Sequence, residues 1–286
     1  MTTTAQAAGT FTLGDMEVCR MGYGAMRITG PGIWGPPADH DESIRVLKRA
    51  VELGVNLIDT ADSYGPEVSE NLIAEALHPY PDDLVIATKG GLKRTGPGEW
   101  PRDLRPERIK ECCEASLRRL KVDRIDLYQL HAVDPNVPYE ETVGAAKELQ
   151  DEGKIRHVGV CNVGRGELEV ARSIVDVVAV QNRYSVVDRS SEKVLDVCTR
   201  DGLAFLPWFP LGAGDLGDDA AETLDEVAGA HDASRFQVAI AWLLAHSPVT
   251  LPIPGTSKVD HLDENVAAAG IELTGDELAK LDALTD

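Results

Sequence analysis

Residues 125–181 read IDLYQL-HAVDPNVPYEETVGAAKELQDEGKIR-HVGVC-NVGRGELEVARSI-VD-VVAVQ, and the pattern in this stretch decides the fold. Three short apolar runs, Ile125 to Leu130, His157 to Cys161 and Val177 to Gln181, have strand length and strand composition. Between them lie two segments with helical periodicity, Glu140 to Gln150, stopped by Gly153, and Arg165 to Ile174. Strand and helix in alternation imply parallel pairing through right-handed crossovers.

The alternation continues in both directions. Upstream strands are expected at Arg20 to Tyr23, Asn56 to Asp59 and Leu84 to Thr88, and downstream strands at Ala204 to Pro207 and Thr250 to Ile253. Helices are expected at Asp41 to Leu53, where Ile44, Leu47 and Val51 share a face and Gly54 ends the run, and from Pro106 through Ile109, Cys113, Leu117 and Leu120. Others fall at Ser191 to Arg200, after the Ser234/Gln237 capping box, and at His261 to Ala268. Phe11 to Val18, around Leu13-Gly14-Asp15, reads as a hairpin ahead of the first unit. Eight strand–helix units close naturally into an α/β (β/α)8 TIM barrel with an N-terminal β-hairpin. A doubly wound sheet is the alternative. At roughly 150 residues per domain the length allows two domains, yet barrels of about 250 residues are single domains. No stretch rich in Pro, Gly and Ser divides the chain, so residues 1–286 are expected to form one domain.

Composition narrows the function classes. The chain has 28 Lys plus Arg against 48 Asp plus Glu, a net charge of −20, with 43% hydrophobic residues. This is the composition of a folded globular protein, and its field repels phosphate backbones and anionic lipid. Neither nucleic acid nor membrane is an expected partner. The start of the chain has no basic and apolar leader pattern, and the expected location is the cytoplasm. The five cysteines, Cys19, Cys112, Cys113, Cys161 and Cys198, are odd in number and form no C-x-x-C, which points to reduced thiols.

In a barrel of this kind chemistry gathers at the carboxyl ends of the strands. Those ends carry Asp59 and then Tyr64, Lys89, His131, Cys161-Asn162, Gln181, Trp208 and Gly255-Thr256-Ser257. Taken alone, Tyr64 is surface decoration, Asp59 a turn former and His131 a structural histidine. Their convergence from three successive strands argues otherwise. An ammonium from Lys89 is expected to bring the Tyr64 pKa down, Asp59 to hold Lys89, and a neutral His131 to orient a carbonyl. That is a general acid beside a carbonyl-sized hole, and it lacks only a hydride, for which a nicotinamide is the simplest source. Asn162 and Gln181 have the donor and acceptor pairs a carboxamide needs, and Trp208 offers a ring to stack on.

Two other chemistries are weaker. Gly212-Ala213-Gly214-Asp215-Leu216-Gly217 matches a dinucleotide fingerprint, but Asp218 and Asp219 follow it and would repel a pyrophosphate. His131-Ala132-Val133-Asp134 has no second histidine beside it, and no metal is expected.

These residues resemble the aldo-keto reductase family. The likeness runs through Asp59-Thr60-Ala61-x-x-Tyr64-Gly65, Ala87-Thr88-Lys89, Asp126-Leu127-Tyr128-Gln129-Leu130-His131, Gly159-Val160-Cys161-Asn162, Gln181-Asn182 and Ile253-Pro254-Gly255-Thr256 to Leu262-Asp263-Glu264-Asn265, nearly the whole chain in order. The resemblance implies NADPH as cofactor, Tyr64 as proton donor, Lys89 and Asp59 tuning it, and His131 orienting the carbonyl. It implies that Asn162 and Gln181 hold the carboxamide, that Trp208 stacks on nicotinamide, and that Leu211 and Gly212 cover the pyrophosphate. Gly255, Thr256, Ser257, Lys258 and His261 would surround the adenosine phosphate, with Glu264 and Asn265 meeting adenine. It also implies a monomer. Two positions depart from the family's pattern. Cys161 replaces a usual Ser, and a thiol is the weaker donor. His261 replaces a common Arg, leaving Lys258 as the main charge for a 2′-phosphate, so NADP(H) is favoured and NAD(H) stays open.

The loop Gly30-Pro31-Gly32-Ile33-Trp34-Gly35-Pro36-Pro37 resembles the corresponding loop of bacterial pyridoxal reductases within the family. Trp34 and Trp100 suit a flat aromatic aldehyde, and equally suit a hydrophobic plug for the barrel mouth. The expected function is thus NADPH-dependent reduction of an aldehyde or ketone, with pyridoxal as a candidate. The alternative is a cofactor-sensing regulatory protein with slow or no turnover.

Overall fold

The computed structural model describes residues 3–210 and 218–285 of the chain. Two strands, β1 (Thr10–Leu13) and β2 (Met16–Cys19), form the antiparallel hairpin, with Gly14 at φ +66° in its turn. Seven strands follow in one parallel sheet whose order is the order of the chain: β3 (Tyr23–Gly24), β4 (Leu57–Asp59), β5 (Val85–Gly90), β6 (Ile125–Leu130), β7 (Ile155–Cys161), β8 (Val177–Gln181) and β9 (Ala204–Phe205).

The eighth expected strand, Thr250 to Ile253, does not extend the ladder as a regular strand, which corrects that expectation. Pro252 and Pro254 have no N–H to donate. The segment nevertheless closes the ring. Phe205 N–H donates to Val249 O at 2.8 Å and Leu251 N–H to Phe205 O at 2.8 Å, while Gly22 N–H donates to Pro252 O at 3.0 Å. The sheet curls into a (β/α)8 barrel.

The helices are α1 (His40–Glu52), α2 (Val68–Leu77), α3 (Pro106–Leu120), α4 (Tyr139–Asp151), α5 (Arg165–Ile174), α6 (Glu192–Asp201), α7 (Asp218–Ala230), α8 (Arg235–His246), α9 (Val259–Ala267) and α10 (Gly275–Asp282). Their starts follow local chemistry. Asp39 caps α1 by accepting from Glu42 N at 2.9 Å, Pro106 opens α3, and Ser234 with Gln237 completes the capping box of α8.

Alternation along each strand divides the core. Leu57, Val85, Ala87, Leu127, Ala179, Ala204, Leu206, Leu251 and Ile253 pack together inside the ring, and Leu13, Met16 and Val18 of the hairpin join them. The hairpin therefore stops one end of the barrel. Ile58 and Ile86, and Tyr128, Val158, Val160, Val180 and Phe205, pack outward against the helices. The inward set turns polar at the carboxyl ends of the strands, as Leu57 gives way to Asp59, Ala87 to Lys89, Leu127 to Gln129 and His131, and Ala179 to Gln181. That change of polarity inside a ring is what creates a site.

Candidate active site

The turn after β4 continues to pair with β5. Thr60 N donates to Ala87 O at 2.8 Å and Asp62 N to Lys89 O at 3.2 Å, and the chain then doubles back so that Tyr64 lies over Lys89. Lys89 is fully buried, and its ammonium has three acceptors for its three N–H groups. It donates to Asp59 Oδ2 at 2.6 Å, to Thr60 O at 2.8 Å and to Tyr64 Oη at 3.2 Å. Because Lys89 occupies a lone pair of the phenol oxygen, the phenolic hydrogen is left free for the cavity.

The other oxygen of Asp59 is held by two amides that reach across the ring. Gln129 Nε2 donates at 2.9 Å and Gln181 Nε2 at 2.8 Å. Gln129, 0% exposed, was given no role on sequence grounds. Its signal was legible, as a Gln two residues after Leu127 and two before His131 on the inward face of β6. Gly159 makes room for it, since a Cβ there would stand 2.9 Å from Gln129 Cγ. Cys161 Sγ lies 3.7 Å from Gln129 Oε1, so the thiol is turned into this buried network.

Burial pushes the Tyr64 phenol above its ordinary pKa, Lys89 pulls it back, and Asp59 adds to the rise. The expectation of a net lowering is thereby corrected: desolvation outweighs the ammonium, and the group stays a protonated phenol. Burial also works against the charge on Lys89, but the balance of its surroundings, the Asp59 carboxylate foremost, holds the ammonium above its usual range. Burial, and then the Lys89 charge, holds the His131 imidazole well below its ordinary range, so it is neutral. The His131 ring meets Tyr64 edge-on at 5.9 Å, and Ser63 Oγ stands 3.5 Å from its Nδ1.

These groups face a cavity of about 480 Å³ whose wall includes Asp59, Tyr64, His131, Cys161, Asn162, Gln181, Trp208 and Gly255. Trp100 is also in the wall, edge-on to Tyr64 at 6.4 Å. Trp34 is not, and its neighbour Ile33 takes that place. Asn162 sits in the left-handed region at φ +57°, which Asn tolerates. Its Nδ2 donates to His131 O at 2.9 Å, and its Oδ1 accepts from Trp208 Nε1 at 2.9 Å. Two carboxamides beside an indole face match a flat ring bearing its own carboxamide, so the donor set fits a nicotinamide.

From Gly255 the chain leads to α9. Gly24 and Gly255 pack backbone to backbone, a Cβ on Gly255 standing 2.6 Å from Gly24 O, and Tyr23 Oη donates to Thr256 O at 2.6 Å. Lys258, His261 and Glu264 are exposed, while Thr256 and Asn265 are buried. Glu42, which the sequence did not single out, accepts from Val259 N at 3.1 Å in the first turn of α9 and is paired with Arg45 at 2.6 Å. Leu211, Gly212 and the glycine pattern through Gly217 lie outside the described residues.

Comparisons with known proteins bear on this geometry. The model of the Aldo/keto reductase family matches residues 20–286. A Schizosaccharomyces pombe protein described as an uncharacterized oxidoreductase is 52% identical over 278 residues, 97% of this chain and 90% of its own length. Pyridoxine 4-dehydrogenase of Escherichia coli is 41% identical over 285 residues, 98% of this chain and 99% of its own. The solved structure of an aldo-keto reductase from Klebsiella pneumoniae in complex with NADPH superimposes with a TM-score of 0.82 at 28% identity, covering 99% of this chain and 95% of that one.

Proposed function

The chain belongs to the aldo/keto reductase family and is an NADP(H)-dependent carbonyl reductase, and from that premise we propose that Tyr64 delivers the proton and that the carbonyl is an aromatic aldehyde of the pyridoxal kind. The observation that carries the first part is the Lys89 ammonium, fixed by Asp59, donating to Tyr64 Oη on the wall of a cavity shared with neutral His131.

When bound, the dinucleotide supplies the hydride. This chain's residues do the rest. Asn162, Gln181 and Trp208 orient the nicotinamide end, Gln181 through Oε1 because its Nε2 is committed to Asp59. His131, whose Nδ1 faces Ser63 Oγ at 3.5 Å, keeps its proton and offers it from Nε2 as a hydrogen bond to the substrate carbonyl. Tyr64 transfers its phenolic proton to the same oxygen as negative charge develops there. Lys89 stabilises the resulting phenolate at 3.2 Å, and Asp59, held by Gln129 and Gln181, keeps Lys89 aimed. Cys161 acts from within the network around Gln129. At the far end Gly255, Thr256, Ser257, Lys258, His261, Glu264 and Asn265 take the adenosine half, and Lys258 favours the 2′-phosphate against the opposing charge of Glu42.

Pyridoxal is supported by the relative that is a pyridoxine 4-dehydrogenase and by Trp100 beside Tyr64. We further propose a cytoplasmic monomer. No helix among the described residues is long and apolar enough to cross a membrane, and a net charge of −20 disfavours anionic surfaces.

The test is the loss of NADPH absorbance with pyridoxal, with NADH and a simple aromatic aldehyde in parallel. Tyr64→Phe is expected to lower turnover by about 10² to 10⁴ while NADPH still binds. Unchanged turnover in that variant would remove Tyr64 from its role, and wild-type protein inert toward every carbonyl would overturn the reductase reading.

A further inference from the structure

Arg94, outside the cavity wall, has a guanidinium group with five N–H donors and finds five acceptors, all of them backbone carbonyls. Its Nε donates to Glu99 O at 3.0 Å, its Nη1 to Ile33 O at 2.6 Å and Ser63 O at 3.0 Å, and its Nη2 to Gly32 O at 2.9 Å and Gly96 O at 3.3 Å. The acceptors belong to three loops: the one after β3, the turn that carries Tyr64, and the one after β5. The guanidinium Cζ lies 3.7 Å from the centre of the Trp100 ring and 5.6 Å from that of Trp34.

The loops touch one another elsewhere as well. Gly35 N donates to Gly65 O at 2.5 Å and Gly98 N to Gly32 O at 3.2 Å. Yet among the described residues only Arg94 bonds all three at one point. Ile33, whose carbonyl it holds, has φ +56°, a conformation that a β-branched residue adopts only when its surroundings impose it. Ile33 and Trp100, which these contacts hold, both belong to the cavity wall, and Trp100 meets Tyr64 edge-on at 6.4 Å.

We propose that Arg94 is the positioning residue of the substrate end of the cavity, clamping three loops so that Ile33 and Trp100 form a flat slot beside Tyr64 that selects aromatic carbonyl compounds. The proposal rests on the carbonyl-reductase reading of the cavity. A lysine cannot take over the role, because three rotating donors replace five fixed ones and the planar face that covers Trp100 is lost. Because Arg94 is half-buried at the surface, water can reach the carbonyls it leaves. Its loss should loosen the slot without unfolding the barrel.

The test compares Arg94→Met and Arg94→Lys with wild type, using a substituted benzaldehyde and propanal as substrates, NADPH binding by fluorescence, and cleavage after Glu99 by a glutamate-specific protease. Both variants are expected to raise KM for the benzaldehyde about tenfold with a smaller change in kcat, to leave KM for propanal within about twofold, and to be cleaved faster. NADPH affinity should stay within about twofold, since the clamp is remote from Asn162 and Gln181. A benzaldehyde KM unchanged in both variants, or a parallel loss for both aldehydes and for NADPH, overturns the proposal. Wild-type protein that reduces neither aldehyde overturns the reductase reading instead, and then equal cleavage rates of wild type and variants overturn the clamp separately.

Discussion

Asp62, two residues before Tyr64, is a buried carboxyl whose Oδ1 meets no partner, and burial raises its pKa to about 7, with Glu70 adding to the rise against Cys112 and Arg119. A carboxyl whose folded value exceeds its unfolded value of about 3.9 binds more protons in the folded state, so stability falls as pH rises through that window and the penalty is complete above about 7. Asp62→Asn removes the ionisation and is expected to stabilise the protein by about 2 to 4 kcal/mol at pH 8, an advantage that shrinks toward pH 4. Denaturant unfolding of both proteins at the two pH values checks this, and a pH-independent difference would contradict it. Tyr64 has the opposite relevance to pH. Its raised pKa keeps it protonated through neutrality, so carbonyl reduction should hold steady from about pH 6 to 9 and decline only above about 10. A decline centred near pH 7 would point to another proton donor. The sequence identified the members of the Lys89–Asp59–Tyr64 group but misjudged the direction of the phenol's shift, because desolvation depends on how deeply the ring is enclosed and no spacing rule carries that.

Among the elements, β6, β8 and α5 begin and end where their residue patterns place them, since each is bounded by a change of period. Helix α2 was not anticipated. Its first turn carries Ser69 and Glu70, polar residues that are buried because Thr60, Thr88 and Arg119 receive them, so its pattern does not resemble an amphipathic helix. The segment Thr250 to Ile253 departs in the reverse sense, apolar enough for a strand but with Pro252 within it and Pro254 after it to interrupt the ladder. Strand β7 carries the sharpest consequence at this scale. Gly159→Ala would press a methyl group against Gln129, and Gln129 would have to leave Asp59 Oδ1 or the strand would have to move. The expected cost is about 1 to 3 kcal/mol of stability, together with a loss of turnover larger than the loss of NADPH affinity. Steady-state kinetics beside a binding titration checks it; turnover and stability both at wild-type level would show that Gln129 is not needed where it lies.

At the scale of the molecule, the hairpin and the ring share one interior, with Leu13 in contact with barrel residues and wholly buried. We propose that residues 1–286 unfold as a single domain, so that Leu13→Ala lowers the stability of the whole barrel by about 2 to 5 kcal/mol without splitting the transition. Calorimetry showing two separate peaks in either protein would contradict this. The single-domain expectation came from the lack of a linker, whereas the packing of the hairpin into the ring depends on a closure that joins residues 22 and 252 and is invisible to any local window. The Asp59 carboxylate is bound to that same long-range order. Its partners lie at positions 89, 129 and 181, the last of them 122 residues further along the chain. At ribosomal speeds of about 5 to 20 residues per second, Asp59 is made roughly 6 to 24 s before Gln181 exists. During that interval a nascent chain cannot seal the carboxylate inside a finished ring, and the site is completed late in synthesis.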